Sequence, residues 1–267
     1  MITVSTYKEL EYYFDLFSKE KPSLVIIRSD GGLGKSTFAK EKTKNVIFIN
    51  GHTTPLALYQ KLCMHADEEI MLVLDDIDSL LQSYVMRALV KQICETKPIK
   101  TLGYLSTANI AQALPTSINV KLSTMILCND LGLLNKNVSA IESRGHSIDF
   151  KPTKQEIIAK LMQIEGPEEV KQFIAAHAQF AKNLNLRTLV KGIDHHRMGG
   201  NWKEKILQEM GTEETLIEID GLMQQYPTDR ERIAHFSGSR ATYYRWKSQS
   251  LANQPVQEVS PIPLTLY

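Results

Sequence analysis

Apolar residues recur at helical spacing from about Tyr7 to Ser18, and Pro22 then closes that segment. Short apolar runs follow, separated by longer amphipathic stretches. The runs are SLVIIR (23–28), NVIFIN (45–50), IMLVLD (70–75), TMILCN (124–129) and SIDF (147–150). Most are rich in Val or Ile, as strands covered on both faces must be. Stretches between them, such as PLALYQKLCMHA and SLLQSYVMRALVKQIC, are long enough for crossover helices. The alternation predicts a parallel α/β sheet. The piece TLGYLSTANIAQALPTSINVKLS (101–123) is less regular and predicts an extra strand pair ahead of the TMILCN strand.

After FKPT (150–153) the character changes. Residues 154–226 show helical periodicity and almost no strand signal, with breaks at Gly166-Pro167, Gly199-Gly200 and Gly211. The pattern predicts an α/β domain over 1–150, a helical domain over 151–211 and a helical segment over 212–250. The tail 251–267 has three prolines and no periodicity, which predicts disorder or dependence on a partner. With 43% hydrophobic and 23% charged residues, the chain can bury a sizeable core. A net charge of +1 gives no global attraction to nucleic acid or membrane, so any such affinity must be local. No apolar run approaches the roughly 18 residues needed to cross a bilayer, and MITVSTYKELEYYF lacks the marks of a signal peptide. Cys63, Cys94 and Cys128 are widely spaced among apolar neighbours and read as buried free thiols. The expected location is cytoplasmic.

The first candidate site is SDGGLGKS, Ser29 to Ser36, between the 23–28 strand and a helix starting at Lys35. It matches the phosphate-loop pattern G-x-x-x-x-G-K-[ST] except that Ser29 stands in place of the first glycine. Such a loop turns backbone N–H groups toward an anion at a helix N-terminus, and glycines permit the close approach. Ser29, Asp30, Gly31, Gly32, Leu33, Gly34, Lys35, Ser36 and Thr37 are the expected nucleotide-binding residues. Lys35 would reach the β and γ phosphates, and the Ser36 hydroxyl would complete a Mg2+ ligand set. Ser29 costs some backbone freedom. Downstream, IMLVLDDID ends a buried strand in Asp75 and Asp76. Asp75 is placed to hold Mg2+ through water and Asp76 to orient or deprotonate an attacking water, while Asp78 suits a helix N-cap.

Over roughly Ser23 to Val190 the chain resembles the AAA+ ATPases, a parallel-sheet P-loop NTPase core followed by an α-helical lid. The resemblance implies a Walker A loop at 29–36, a Walker B strand at 70–76, and ATP with Mg2+ as ligands. It also implies Asn129, in MILCND, as the polar sensor. SAIESRGHSIDFKPT resembles the arginine-finger region and nominates Arg144. NLNLRTLVKG resembles the lid helix with its second sensor and nominates Arg187. An arginine finger acts from a neighbouring subunit, so the resemblance implies a homo-oligomer, ring or filament. Asp76 departs from the family, which usually places a longer glutamate there. The shorter side chain implies slow hydrolysis.

TDRERIAHFSGSRATYYRWKSQ (228–249) places Ala234 and Gly238 at the spacing of a helix-turn-helix, with Ile233 and Tyr244 as core positions and a second helix from Ser239. Arg232 to Gln249 holds four Arg/Lys residues and no acidic one, with Tyr243, Tyr244 and Trp246 interleaved. The wording resembles transposase and regulator segments. In a major groove Arg240 and Thr242 would approach bases, while Arg245 and Lys247 meet phosphates and Tyr243 lies alongside. DNA is therefore the expected partner, through 232–249. Two weaker candidates read as structural: DHHR (194–197) lacks the i, i+4 spacing of a metal pair, and Tyr104 suits a core aromatic.

Three functions remain open at this point. One is a DNA-acting ATPase of replication, an initiator or helicase loader of a phage or mobile element. The second is a transposition regulator that polymerises on DNA. The third is a nucleotide-dependent transcriptional regulator that does not hydrolyse. A helicase or a transposase would be the protein partner in the first two.

Overall fold

The computed structural model describes residues 1–43, 46–75, 83–105, 113–129 and 139–253. The chain divides into two compact units, Met1–Ile157 and Ile158–Tyr267. The first begins with β1 (Ile2–Val4) and α1 (Tyr7–Glu20). Thr6 starts the helix: its hydroxyl accepts the Glu9 N–H at 3.2 Å, and the Glu9 carboxylate accepts the Thr6 N–H at 3.3 Å. Such a reciprocal cap contributes about 1 kcal/mol. Tyr7, Leu10, Phe14 and Phe17 form the buried stripe. Lys21, at φ 44°, leads the chain out of the helix just before Pro22.

The five apolar runs fold as β2 (Leu24–Arg28), β3 (Val46–Asn50), β4 (Glu69–Asp75), the end of β6 (Ser117–Cys128) and β7 (His146–Phe150). The order is β1-β7-β2-β6-β4-β3, and all these pairings are parallel. Helices α2 (Lys35–Lys42), α3 (Pro55–Cys63), α4 (Tyr84–Ile93) and the short α5 (Ser139–Glu142) lie between strands in sequence. Gly145, just before β7, lets that strand close on β2. A Cβ there would sit 2.6 Å from the Leu24 side chain and 2.7 Å from its carbonyl oxygen.

The extra strand pair is present but differs in form from the expectation. β5 (Ile99–Gly103) runs antiparallel to the first part of β6, from Ile99 opposite Lys121 to Gly103 opposite Ser117. The second strand is not separate from TMILCN: β6 is one element of twelve residues. Its burial alternates from Ser117 to Lys121, beside β5, and becomes continuous from Leu122 to Cys128, between β2 and β4. One strand thus passes from a sheet with one covered face into a sheet covered on both. Tyr104 stacks on Tyr59 at 5.2 Å and packs against the core, as read from the sequence. Cys94 and Cys128 are buried free thiols, and Cys63 is partly buried.

The second unit, as described, is helical. Helix α6 (Lys154–Gln163) spans the division, followed by α7 (Glu168–His177), α8 (Leu186–Met198) and α9 (Trp202–Glu209). Leu161, Val170, Ile174, Leu189, Ile206 and Met210 form their core. Gly192 on α8 brings that helix within Cβ reach of Ile206 and Val170, each 3.0 Å away. Then come α10 (Glu214–Gln225), α11 (Asp229–His235) and α12 (Arg240–Asn253), with a core of Ile219, Leu222, Phe236 and Tyr243. The predicted tail falls mostly at 254–267, outside the described residues.

A buried lysine ties the first unit together. Lys100 on β5 is fully buried. Its ammonium donates to Ser23 O at 2.8 Å, Ile93 O at 2.5 Å and Thr124 Oγ1 at 3.3 Å. It joins the starts of β2 and the parallel part of β6 to the C-terminus of α4, where carbonyl groups favour a cation. Burial pushes its pKa down to about 8, against smaller opposing effects of Cys94 and Glu95. Below pH 8 the ammonium is charged in both folded and unfolded chains, and its burial penalises the fold. Between about pH 8 and 10.5 the folded state gives up the proton while the unfolded state keeps it, so stability rises with pH through this group. The Cys94 thiol, raised to about 12 chiefly by burial, opposes that trend above its ordinary 9.0. Comparison with Lys100→Met leaves Cys94 in both chains. Urea unfolding should show wild type gaining stability relative to Lys100→Met as pH rises from 8 to 10.5; a gap independent of pH would refute this account.

Candidate nucleotide site

Register places the candidate residues. Arg28 pairs with Cys128 across β2 and β6, Leu127 with Asp75 across β6 and β4, and Asp75 with Asn50 across β4 and β3. The carboxyl ends of these strands therefore lie along one edge, where ligands of parallel α/β sheets bind. Ser29 continues the ladder, its N–H donating to Cys128 O at 3.3 Å. The chain then leaves the sheet, with Gly32 at φ 80° and Gly34 at φ 90°, and Gly34 is the N-cap of α2. No side chain caps α2. Both positive-φ positions are glycine, so Ser29 occupies no strained place. Among the described residues Lys21 is the one non-glycine with positive φ. The expected backbone cost of Ser29 is not incurred.

Lys35, in the first turn of α2, is 7% exposed. Its ammonium donates to Ser29 O at 2.7 Å, Ser29 Oγ at 2.8 Å, Asp30 O at 3.1 Å and Asn129 Oδ1 at 3.1 Å. The loop lysine and Asn129, distant in sequence, are thus directly bonded. Leu33 is buried beneath the loop, whereas Asp30, Gly31 and Thr37 are exposed and Gly32, Gly34 and Ser36 are half-buried. Asp75 is 5% exposed and accepts from Asn50 Nδ2 at 3.2 Å. Asn50 is a member of this edge that the sequence reading missed. Its signal was a polar side chain closing an apolar run. Asp76 and Asp78 lie outside the described residues.

Ser36 and Asp75 offer a hydroxyl and a carboxylate, the hard oxygen donors that Mg2+ takes while keeping several waters. Among the described residues no cluster of three His, Cys, Asp or Glu forms a metal site, and the histidines at 195 and 196 join none.

The two nominated arginines are not part of this bonded group. Arg144 is half-buried, and its Nη1 donates to Lys91 O on α4 at 2.8 Å. Arg187 is exposed in the first turn of α8, where its N–H is capped by Asn185 Oδ1 at 2.9 Å. It belongs to the second unit.

Four residues of the C-terminal helices sit differently from expectation. Tyr243, expected beside DNA, is fully buried, and its hydroxyl donates to Asp229 Oδ1 at 2.9 Å. Tyr244, expected in the core, is 43% exposed; the inward face of α12 is turned by one residue. Lys247, expected on phosphate, donates to both oxygens of Asp229 at 2.8 and 2.6 Å. Those Lys247 bonds, with smaller contributions from Tyr243 and Arg232, hold the Asp229 carboxyl below its ordinary pKa. Ala234 is exposed rather than at a helix crossing. The turn is anchored instead by Glu218 on α10, which accepts Ser237 N and Oγ at 2.7 Å each. Gly238 leaves room for Phe236, whose ring would lie 2.7 Å from a Cβ. Thr242 is half-buried and shares a bond with Ser239 at 2.8 Å. Arg240 and Arg245 are exposed, over the rings of Tyr244 at 5.8 Å and Trp246 at 5.4 Å.

No protein-family profile and no curated protein matches this chain. Solved structures do. The Cdc6p crystal structure from Pyrobaculum aerophilum is 13% identical, over 94% of this chain and 88% of that one, with a TM-score of 0.52. The Aeropyrum pernix Orc1 protein in complex with DNA is 16% identical, over 95% and 80%, with a TM-score of 0.49. The replication initiator DnaA bound to AMPPCP and single-stranded DNA is 14% identical, over 83% and 68%, with a TM-score of 0.47. The likeness is one of fold. The chain has a parallel-sheet α/β core with helices after it, the fold it shares with the Cdc6p structure. Among the described residues no helix is long and apolar enough to cross a membrane.

Proposed function

We propose that this chain is an AAA+ ATPase that binds ATP with Mg2+, oligomerises and acts on DNA. Within that class the reading is an initiator or helicase loader, because the α/β core is followed by a helical unit whose last helix carries exposed arginines. One observation carries the nucleotide reading. The loop lysine is buried at the carboxyl edge of the sheet and bonded to Asn129, with Asp75 two strands along that edge from β2.

We assign the roles as follows. Backbone N–H groups of the 29–37 loop receive phosphate oxygens at the start of α2. Lys35 trades a neutral oxygen for an anionic one on the β or γ phosphate, a charge-assisted bond about twice as strong as a neutral one. Bound Mg2+, held through Ser36 and Asp75, would neutralise phosphate charge. Asn129 orients Lys35 on one side and faces solvent on the other, as a group that senses the γ phosphate must. Asp76 is assigned the attacking water. Arg144 is assigned to a neighbouring subunit's phosphate, which requires its guanidinium to reorganise on Lys91 O or to use its remaining donors. Arg187 is assigned to nucleotide sensing from the helical unit.

For DNA, we assign contact to Arg240 and Arg245, which are exposed and lie over aromatic rings. Lys247 and Tyr243 are committed to Asp229. Removing the segment wholesale would not isolate its role, since Phe236 and Tyr243 cover the core face of α10.

Lys35→Ala should abolish binding of a fluorescent ATP analogue in the presence of Mg2+; equal binding by the two proteins would sink the phosphate-loop reading.

Turnover should rise more than linearly with protein concentration, and Arg144→Ala should lose it while still binding ATP. Undiminished turnover in that variant would remove Arg144 from the chemistry.

Arg245→Ala should weaken duplex binding for every sequence and lower the salt slope by about one, whereas Lys247→Ala should lower stability with the slope unchanged. Anisotropy at two salt concentrations, with a thermal melt of each variant, separates these; a slope lowered by Lys247→Ala alone would put the interface elsewhere.

A further inference from the structure

Ser29 stands where the phosphate-loop pattern has glycine, and its side chain is the difference that matters. The residue is 4% exposed. Its hydroxyl accepts from Lys35 Nζ at 2.8 Å and donates to Asp30 O at 3.0 Å. An ammonium has three N–H donors. Among the described residues four protein oxygens lie within 3.1 Å of this one, and the two nearest of these both belong to Ser29. A glycine would keep the carbonyl contact and delete the hydroxyl.

We propose that Ser29 is a positioning residue that restrains Lys35 at the base of the loop and thereby sets nucleotide affinity. The inference rests on the ATP-binding reading above. A phosphate oxygen must enter an already complete set of acceptors, so binding proceeds by exchange. The acceptor most open to loss is a neutral hydroxyl that already has a second bond to Asp30 O. Each neutral bond given up subtracts from the gain of the anionic one. The lysine is held ready, in a buried and fully bonded place, at the cost of weaker nucleotide binding. The backbone at Ser29 has no positive φ, so the effect belongs to the hydroxyl and not to the loop's conformation.

The test compares wild type, Ser29→Ala, Ser29→Gly and Lys35→Ala in titrations with a fluorescent ATP analogue and Mg2+, alongside steady-state turnover. Ser29→Ala keeps the Cβ and removes the oxygen. Ser29→Gly also frees the backbone. Both should bind the analogue about threefold to tenfold more tightly than wild type, the range expected from one neutral hydrogen bond. The gain should fall on KM for ATP rather than on kcat, because it improves binding of substrate and transition state alike. Unchanged or weaker binding by Ser29→Ala, with wild type still binding and Lys35→Ala not, overturns the restraint and leaves the nucleotide site standing. A gain in Ser29→Gly alone also overturns it, by assigning the effect to the backbone. Failure of wild type to bind, or equal binding by Lys35→Ala, overturns the nucleotide reading itself.

Discussion

The arrangement of this molecule's candidate site depends on how one buried ammonium is satisfied. A charge taken out of water is tolerated only where polar atoms replace its hydration. Lys35 finds them where β2 ends and β6 ends: the carbonyls of Ser29 and Asp30, the Ser29 hydroxyl and the Asn129 amide oxygen. Those atoms converge because the β2–β6 register sets Arg28 against Cys128, so both chains leave the sheet at one level. A slip of one residue would turn every side chain of these strands to the other face. The same register carries Asp75 and Asn50 to that edge.

The other end of β2 repeats the device with a different outcome. Lys35 takes the carbonyl of Ser29, just after the strand, and Lys100 takes the carbonyl of Ser23, just before it. Lys100 is enclosed by interior groups and has its pKa pushed down to about 8, with Ile93 O at the C-terminus of α4 as its nearest acceptor. A neighbouring carbonyl of that helix, Lys91 O, accepts from Arg144. The last turn of α4 therefore holds two cations, one buried for good and one half-exposed, consistent with the negative end of a helix. Any motion of Arg144 toward a phosphate would start from this helix end. The helix follows the strand that carries Asp75.

What could be read from the sequence was whatever burial wrote into it twice over. The parallel strands are covered on both faces, so their apolar runs stand out, and Pro22 and the glycines of the loop mark their own places. β1 is too short, with one buried residue, to show a pattern. β5 was recognisable as a strand region but its phase was not. Lys100 and Leu102 point inward while Ile99 is 59% exposed, the reverse of what residue type suggests for that pair. The reason is long-range, since Lys100 turns inward toward carbonyls of α4 and of the residue before β2. Asn50 was missed for the same kind of reason. Its role is defined by Asp75, which only the sheet brings beside it.

The C-terminal helices show how charge counted along a sequence differs from charge presented at a surface. The segment from Arg232 to Gln249 reads as basic because the window excludes Asp229, which stands just ahead of it. In space Asp229 is at the centre: it accepts from Arg232, Tyr243 and Lys247, and so withdraws two of the segment's four cations. Burying a tyrosine hydroxyl requires a partner, and a carboxylate that serves it is best held by cations on the same helices. The core aromatic therefore fixes the fate of the neighbouring charges. Only Arg240 and Arg245 remain outward among the four, each lying over an aromatic ring that limits its freedom. Two exposed guanidinium groups, each beside an aromatic ring, are what α12 presents outward. With a net charge of only +1, any attraction to a polyanion would have to come from such local groups.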